Sequence, residues 1–369
     1  MTSWSWKLGR VAGVDIYMHA TFVLLLAWMA IAHYFERHRM IDAVNGVVFI
    51  IALFAIVVLH ELGHAVAARH FDIGTRDITL LPIGGVARLE RFPDDPKQEL
   101  LVALAGPAVN VALALLLALA VAPAEALDVW DKGAWLDAPF LAKLSVVNAT
   151  VAVFNLIPAF PMDGGRALRA LLALRLDYLR ATQLAAKIGQ AFALTFGMIG
   201  LFAGNPVLVF IAMFVWMGAA SENGLAQMRG ALAGIPVSRV MITDFRTLAP
   251  DDTLGRALEY VLAGFQQDFP VAQDGHVLGV LTRAKLMKGL TDVGVDGTVA
   301  AAMERRTDGI DAGTMLDSWV ERVQAGTASF VPVLRGEALV GILTAENVAE
   351  FLMGRGAQRT ALRANTTSA

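Results

Sequence analysis

The sequence contains no cysteine. Disulfides, thiolate zinc sites and thiol nucleophiles are therefore excluded, although the redox compartment stays open. Histidine is scarce as well, with seven in the chain, too few for the His-rich di-iron membrane oxidases. Any metal ion must be held by a small set of His, Asp and Glu side chains. Charged residues make up only 17% of the chain and hydrophobic residues 56%, a balance unlike that of an ordinary soluble protein. The net charge of −3 lacks the electrostatic footprint of a nucleic-acid binder, and no nucleic-acid partner is expected. A length of 369 residues leaves room for two or three domains.

What is present is a series of runs without Asp, Glu, Lys or Arg: Ile16–Ala32, Ala43–His60, Leu100–Ala124, Leu144–Met162 and Ile188–Ala220. A helix needs about 20 apolar residues to cross a bilayer. The first four runs fit one crossing each. The last contains the turn signal Gly204-Asn205-Pro206 and reads as two helices, which predicts about six spans. With the N-terminus inside, the inner segments hold Lys7, Arg10, Arg69, Arg76, Arg88, Arg91, Lys97, Arg166, Arg169, Arg175, Arg180, Arg229 and Arg239, against Arg37, Arg39 and Lys132 outside. That asymmetry follows the positive-inside rule. It predicts a multi-pass protein of the cell (inner) membrane with a cytoplasmic N-terminus. Lys7, Arg10 and Ala30-Ile31-Ala32 imitate a cleaved signal peptide, but its removal would place the basic segments on the wrong side. Trp4, Trp6 and Tyr17 read as interfacial anchors, and Met213 with Met217 as lipid or helix packing.

After about Gly230 the charges return and Gly234-Ile235-Pro236 reads as a linker. The remainder is duplicated. Val240-Met241 recurs as Ala302-Met303, Phe269-Pro270-Val271 as Val331-Pro332-Val333, and Gly279–Thr282 as Gly341–Thr344, all offset by 62 residues. Each copy predicts a helix (Leu254–Phe265; Met315–Gln324), two short strands about a turn (Asp274-Gly275; Arg335-Gly336), and a second helix after the threonine. That is a small soluble α/β pair.

The chemistry concentrates in His60-Glu61-Leu62-Gly63-His64. Positions i and i+4 share one helix face, so both imidazoles can reach one ion, and Glu61 beside them can accept a proton from attacking water. Chance also produces this spacing. Yet each ionisable residue at bilayer depth costs roughly 2.5–3.5 kcal/mol, which calls for a compensating function. A catalytic zinc wants three protein ligands and one open position. A third ligand is offered by Asp163, which follows Asn155-Leu-Ile-Pro158-Ala-Phe-Pro161-Met, where two prolines interrupt a helix. The competing role for Asp163 is to cap a following helix, Arg166–Leu179. His70, His19 and Asp72 are the other candidates; His70 is close in sequence for folding back, and His19 lies in another span. Between the motifs, Asp77–Arg91 alternates about Pro82-Ile83-Gly84-Gly85 and predicts two strand-like pieces. A strand edge there could pair with an unwound substrate helix.

HELGH and NLIPAFPMDGGR resemble the two signatures of the site-2 protease family of intramembrane zinc metalloproteases. Asn155, Pro158, Pro161, Asp163 and Gly164 match the second pattern in place. Leu81–Val86 and Ala105-Gly106-Pro107-x-x-Asn110 are similar to supporting family motifs. The resemblance implies one Zn2+ per chain on His60, His64 and Asp163, with Glu61 as catalytic base. It gives Asn155 a substrate-binding role, to which the strand-edge reading adds Gly84, Gly85 and Val86. It also implies a single-span membrane protein as substrate, cut within or near its transmembrane segment. The repeated half resembles tandem cystathionine-β-synthase (CBS) domains, a regulatory module. That implies an adenine nucleotide held through Thr282 and Thr344, and a homodimer formed through the CBS domains. Lys285 and Asn347 stand where that module's pattern carries Asp.

The expected architecture is an α-helical polytopic membrane domain with a short membrane-associated β element, followed by soluble α/β tandem CBS domains. Its boundaries are a transmembrane metalloprotease domain at 1–228, a linker at 229–236, CBS domains at 237–292 and 299–356, and a flexible tail at 357–369. A CBS-regulated transporter or channel is the alternative reading, with the intramembrane charges marking an ion path. No inverted repeat supports it. A catalytically dead scaffold is a third reading, opposed by the intact Glu61.

Overall fold

The computed structural model describes residues 4–82, 84–91, 93, 95–121, 139–264, 266–305, 309–317, 319 and 330–355. Lys132, Ile83, Phe265, the expected tail 357–369 and most of the Met315–Gln324 stretch lie outside the described residues. The chain divides into two compact units, Met1–Gln227 and Met228–Ala369.

The first unit opens with a hairpin, β1 (Ser5–Val11) and β2 (Val14–His19). Its turn, Ala12-Gly13, takes φ of 50° and 86°, the sense of twist that suits a tight antiparallel connection. β2 runs parallel to β3 (Thr75–Leu81), with Asp15 opposite Asp77 and Met18 opposite Leu80. β3 turns back into β4 (Gly84–Leu89), giving the order β1-β2-β3-β4. The strand pair expected within Asp77–Arg91 is thus half of a four-stranded sheet with β4 at an edge. Val14, Ile16, Ile78 and Leu80 point to one face and form a core with Phe22, Ile50, Phe54, Leu62 and Ala65. The inward alternation of Val14 and Ile16 explains why the first apolar run does not make one helix. Its start, Ile16–His19, is drawn into β2, and the helix begins only at Thr21.

Among the described residues, seven helices begin in the first unit: α1 (Thr21–Arg37), α2 (Met40–Arg69), α3 (Pro96–Leu119), α4 (Phe140–Asn155), α5 (Asp163–Ala173), α6 (Tyr178–Phe202) and α7 (Pro206–Leu232). Four of them, α2, α3, α6 and α7, are long and apolar enough to cross a membrane. The apolar helices at Thr21–Phe35 and Phe140–Asn155 are shorter. Local chemistry sets the ends. Pro96 occupies the first turn of α3 and the Asp95 carboxylate accepts from Lys97 N–H at 2.9 Å. The break expected at Gly204-Asn205-Pro206 is present: Gly204 adopts φ 62°, and Asn205 Oδ1 accepts from the N–H groups of Val207 and Leu208. The helix expected over Arg166–Leu179 is displaced. It begins at Asp163 and stops at Ala173, because Asp177 caps the next helix by accepting from Arg180 N–H at 3.0 Å.

The loop 156–162 between α4 and α5 is sunk between α6 and α7. Ala159 and Met162 cluster with Ala193 and Val215, and Phe160 with Ala185, Ala186 and Ala219. Gly218 on α7 makes room for Pro161, since a Cβ there would stand 2.5 Å from the ring.

In the second unit α7 continues helically through Leu232, so the residues expected as a linker, 229–236, are helical in their first half. Leu232 and Ile235 are buried in a core with Val237, Trp319, Val331 and Leu343. α8 (Leu254–Ala263), β5 (Phe269–Gln273), β6 (His276–Leu281), α9 (Arg283–Val293) and the short α10 (Val299–Ala302) make the first copy. β7 (Ile310–Asp311), β8 (Phe330–Arg335), β9 (Ala338–Thr344) and a helix over 345–355 belong to the second. Both strand pairs turn through a residue with positive φ, Gly275 (83°) and Gly336 (65°). The copies exchange edges. Ile242 bridges to Ile342 and Glu304 to Val280, and each of those pairs maps onto the other by the 62-residue offset.

Candidate metal centre

His60 and His64 stand one turn apart near the end of α2, on its buried side. Asp163 comes from the first turn of α5, delivered by the sunken loop. His60 Nε2 lies 3.1 Å and His64 Nε2 3.2 Å from the same oxygen, Asp163 Oδ2, and the two Nε2 atoms are 3.1 Å apart. All three side chains are buried. His64 Nδ1–H donates to the Val102 carbonyl at 2.7 Å. The other nitrogen of that ring therefore presents a lone pair toward the carboxylate. With the His64 lone pair, the Asp163 oxygen and His60 Nε2 converging in one buried place, a cation is the partner that satisfies all three at once. The spacing fits as well: ligands on a tetrahedral zinc at about 2.0–2.2 Å lie roughly 3.3–3.5 Å apart. Among the described residues this His-His-Asp set is the one group of three with metal-ligand geometry. Asp163 lies within the first turn of α5 and Met162 is the cap, so Asp163 does not serve as the cap considered from sequence. The rival ligands lie elsewhere: His19 Nδ1 contacts Thr21 Oγ1 at 2.8 Å, and Asp72 sits in a turn with φ 56°.

The centre opens on a cavity of about 600 Å³. Glu61, Asn155, Gly84, Gly85 and Val86 all line it, so every position expected at the protease site is brought to one place. Gly85 is needed for that approach, because a Cβ on it would stand 2.9 Å from Glu61 Cγ and 3.0 Å from Val57 Cγ1. A Cβ on Gly106 of α3 would collide with the His64 ring, which ties the second supporting motif to the same centre. Gly164 and Gly165 play a like part, their missing side chains leaving space for the backbone of Leu156–Phe160.

One cluster beside the centre has no local signature in the sequence. Arg169 on α5 is fully enclosed, donates to Glu99 on α3 through Nε at 2.8 Å and through Nη2, and donates to Glu222 on α7 at 3.0 Å. Its guanidinium also lies 5.2 Å from the Phe160 ring and 5.1 Å from the Tyr178 ring. Glu99 sits one turn before Val102, the acceptor of His64, so the pair ties the helix carrying Asp163 to the helix steadying His64. The available signal was the set of charges next to apolar runs, but their partners are 70 and 53 residues apart in the chain.

Comparison with known proteins bears on the same residues. The model of peptidase family M50 matches residues 48–128 and 129–196, and that of the CBS domain matches 237–292. A zinc metalloprotease of Methanocaldococcus jannaschii is 32% identical, over 82% of this chain and 84% of its own length. Rip3 of Mycobacterium tuberculosis is 30% identical over 94% of this chain and 92% of its own. A solved site-2 protease from Methanocaldococcus jannaschii is 36% identical, covering 60% of this chain and 95% of its own at a TM-score of 0.44. The chain belongs to peptidase family M50 and is an integral-membrane zinc metalloendopeptidase of the site-2 protease type that carries a CBS domain.

Proposed function

We propose that this chain hydrolyses peptide bonds within or beside the transmembrane segments of single-span membrane proteins, at one zinc ion held by His60, His64 and Asp163. The observation that carries the reading is the convergence of those three donors among membrane-capable helices, at a cavity bordered by a sheet edge. Bound there, zinc supplies the Lewis acid that polarises the scissile carbonyl and acidifies the attacking water. Glu61 faces the same cavity, takes the proton of that water and returns it to the leaving amine. Asn155, in the last turn of α4, turns its amide to the substrate carbonyl. A helical substrate must unwind before attack, and its freed backbone groups need partners at lipid depth. The β4 edge at Gly84–Val86 supplies them by β-augmentation, with Gly85 holding the strand against Glu61.

The basic segments support a cytoplasmic N-terminus and CBS pair, in a multi-pass arrangement in the inner membrane. There the CBS pair regulates cleavage, as an adenine-nucleotide site and as a homodimer contact. Thr282 Oγ1 accepts from Lys285 N–H and Thr344 Oγ1 from Asn347 N–H, so each hydroxyl keeps its own hydrogen for a ligand oxygen. The Asn347 amide is engaged by the Val240 carbonyl, which leaves the first copy the more open of the two. Thermal-shift titration of the full chain with AMP, ADP and ATP tests this. A flat response to all three removes the nucleotide.

The deciding experiment compares membrane peptides and single-span proteins, by quantitative mass spectrometry, in cells carrying active or Glu61→Gln enzyme. Single-span proteins that accumulate intact with Glu61→Gln, and whose fragments vanish, support the reading. Identical profiles would sink it.

A further inference from the structure

The two histidines of the centre differ at their second ring nitrogen. His64 Nδ1–H donates to the Val102 carbonyl. His60 Nδ1 is buried and bonds to nothing. Two asparagines share that condition. Asn110 on α3 and Asn148 on α4 are both fully buried, and neither the oxygen nor the nitrogen of either amide has a partner. An unsatisfied buried polar atom costs about 1–3 kcal/mol, so five of them among three packed helices require a common explanation.

Helix register places the three side chains at one depth. His64 reaches Val102 and abuts Gly106, while Gly63 faces Ala105 and Val109. α2 and α3 are thus antiparallel, and one turn back along α2 His60 comes level with Asn110. Ser145 Oγ donates to the Ala114 carbonyl at 3.0 Å, and Val121 clusters with Ala142. α3 and α4 are antiparallel too. One turn on from Ser145 is Asn148, and one turn back from Ala114 is Asn110, on facing sides. A turn rises about 5.4 Å, so these amides fall within side-chain reach of each other and of the His60 ring.

We propose that Asn110 and Asn148 form the outer shell of the metal centre, a role that rests on His60 being a ligand. In the loaded centre a small turn of the two amides would let Asn110 Oδ1 accept from His60 Nδ1–H and the Asn148 amide donate to the second lone pair of the same oxygen, bonds that are not yet made in the structure. The pair fixes the His60 tautomer, keeps its Nε2 lone pair aimed at the ion, and does for His60 what the Val102 carbonyl does for His64.

The test measures zinc affinity by chelator competition on the full-length protein in detergent, in the Glu61→Gln background to suppress proteolysis. Asn110→Ala is expected to weaken zinc binding about 10–100-fold, and Asn148→Ala to weaken it less in the same direction. Two near-isosteric changes separate hydrogen bonding from packing. Asn110→Asp keeps an acceptor and is expected to bind zinc at least as tightly as the parent. Asn110→Leu fills the same space without one and is expected to bind as weakly as the alanine variant, while its melting temperature holds or rises. Leu binding as tightly as the parent, or Asp as weakly as Ala, overturns the proposal. If Asn110→Ala does not fold, the Asp and Leu pair decides alone. A parent protein that binds no zinc overturns the ligand reading and this proposal with it, an outcome distinct from a tight-binding parent whose variants are unchanged.

Discussion

The helix contacts of the first unit and the interior of the second are built from different materials. In the second unit the fully buried side chains are large: Trp319, Phe269, Leu248, Leu254, Leu281, Leu286 and Ile342. In the first, large side chains such as Phe22, Ile78 and Phe160 are buried about the sheet and the sunken loop, but where helix meets helix the buried residues are small, with Ala142, Ala181, Ala185 and Ala193 at or near zero exposure, while Leu119, Phe202, Phe210 and Leu24 stand outside. The buried polar side chains divide as sharply. Among the described residues His60, His64, Glu99, Asn110, Ser145, Asn148, Asp163, Arg169 and Thr182 all lie in the first unit. A water-soluble unit hides its bulky apolar groups. A lipid-facing unit gains nothing by hiding them, so its helices close on small residues and polar contacts. The contrast teaches that chemistry requiring buried charge was placed where the surrounding solvent is already apolar.

The largest effect expected from breaking that contrast is at the ligands. Asp163→Ala should abolish both stoichiometric zinc, read by elemental analysis, and cleavage. Glu61→Gln should keep the zinc and lose about 10²–10⁴-fold in turnover of a model substrate, because it removes only the proton acceptor. Zinc lost equally in both variants would mean that Glu61 is structural.

Next in size is Arg169. Arg169→Met leaves Glu99 and Glu222 facing each other inside the helices, and removing one partner of a buried pair costs about 3–5 kcal/mol. Unfolding in detergent should show it. Because Glu99 precedes Val102 by one turn, zinc release to a chelator should quicken as well. A variant that melts with the parent and holds zinc as long would remove Arg169 from the architecture of the centre.

Packing gives a reciprocal pair of smaller effects. Ala185→Leu in the first unit, against Phe160, is expected to destabilise by about 1–3 kcal/mol through overpacking. Leu254→Ala in the second unit is expected to cost about 2–5 kcal/mol by leaving a cavity. If enlarging the buried alanine proves harmless, the first interior is looser than its exposures indicate and the contrast between the units weakens.

How much of this was legible depends on where partners sit in the chain. His60, Glu61 and His64 are read directly because helical periodicity puts them together, and Asp163 because two prolines announce an interruption. The β1–β2 hairpin escaped notice. Its second strand merges with an apolar run, Trp6 and Tyr17 resemble membrane anchors, and only Ala12-Gly13 hints at a turn. The two short apolar helices, Thr21–Phe35 and Phe140–Asn155, read as full spans because the charge-free runs that mark them continue past the helices, into β2 on one side and into the loop opened by Pro158 on the other. The ion cluster about Arg169 and the unpaired amides of Asn110 and Asn148 depend on contacts between distant helices, which no local pattern encodes. In the second unit the 62-residue repeat exposed the duplication, but the exchange of edges between copies is a property of folded strands.

The smallest effect concerns a residue with two candidate roles. Thr282 caps α9 by accepting from Lys285 N–H at 3.3 Å, and it is also the position through which a nucleotide would be held. Thr282→Ala should cost about 1 kcal/mol through loss of the cap, with no nucleotide present, and Thr282→Ser should restore most of it. If AMP or ATP stabilises the parent chain, the alanine variant should lose that added stabilisation as well as the cap, while serine keeps both, because the same hydroxyl can accept from the backbone and donate to a ligand. Stabilisation by nucleotide that survives Thr282→Ala would move the ligand away from the first copy. Loss of that stabilisation in Thr282→Ala would instead extend the contrast between the units, since the soluble unit would then bind through a half-buried hydroxyl and the membrane unit through buried imidazoles.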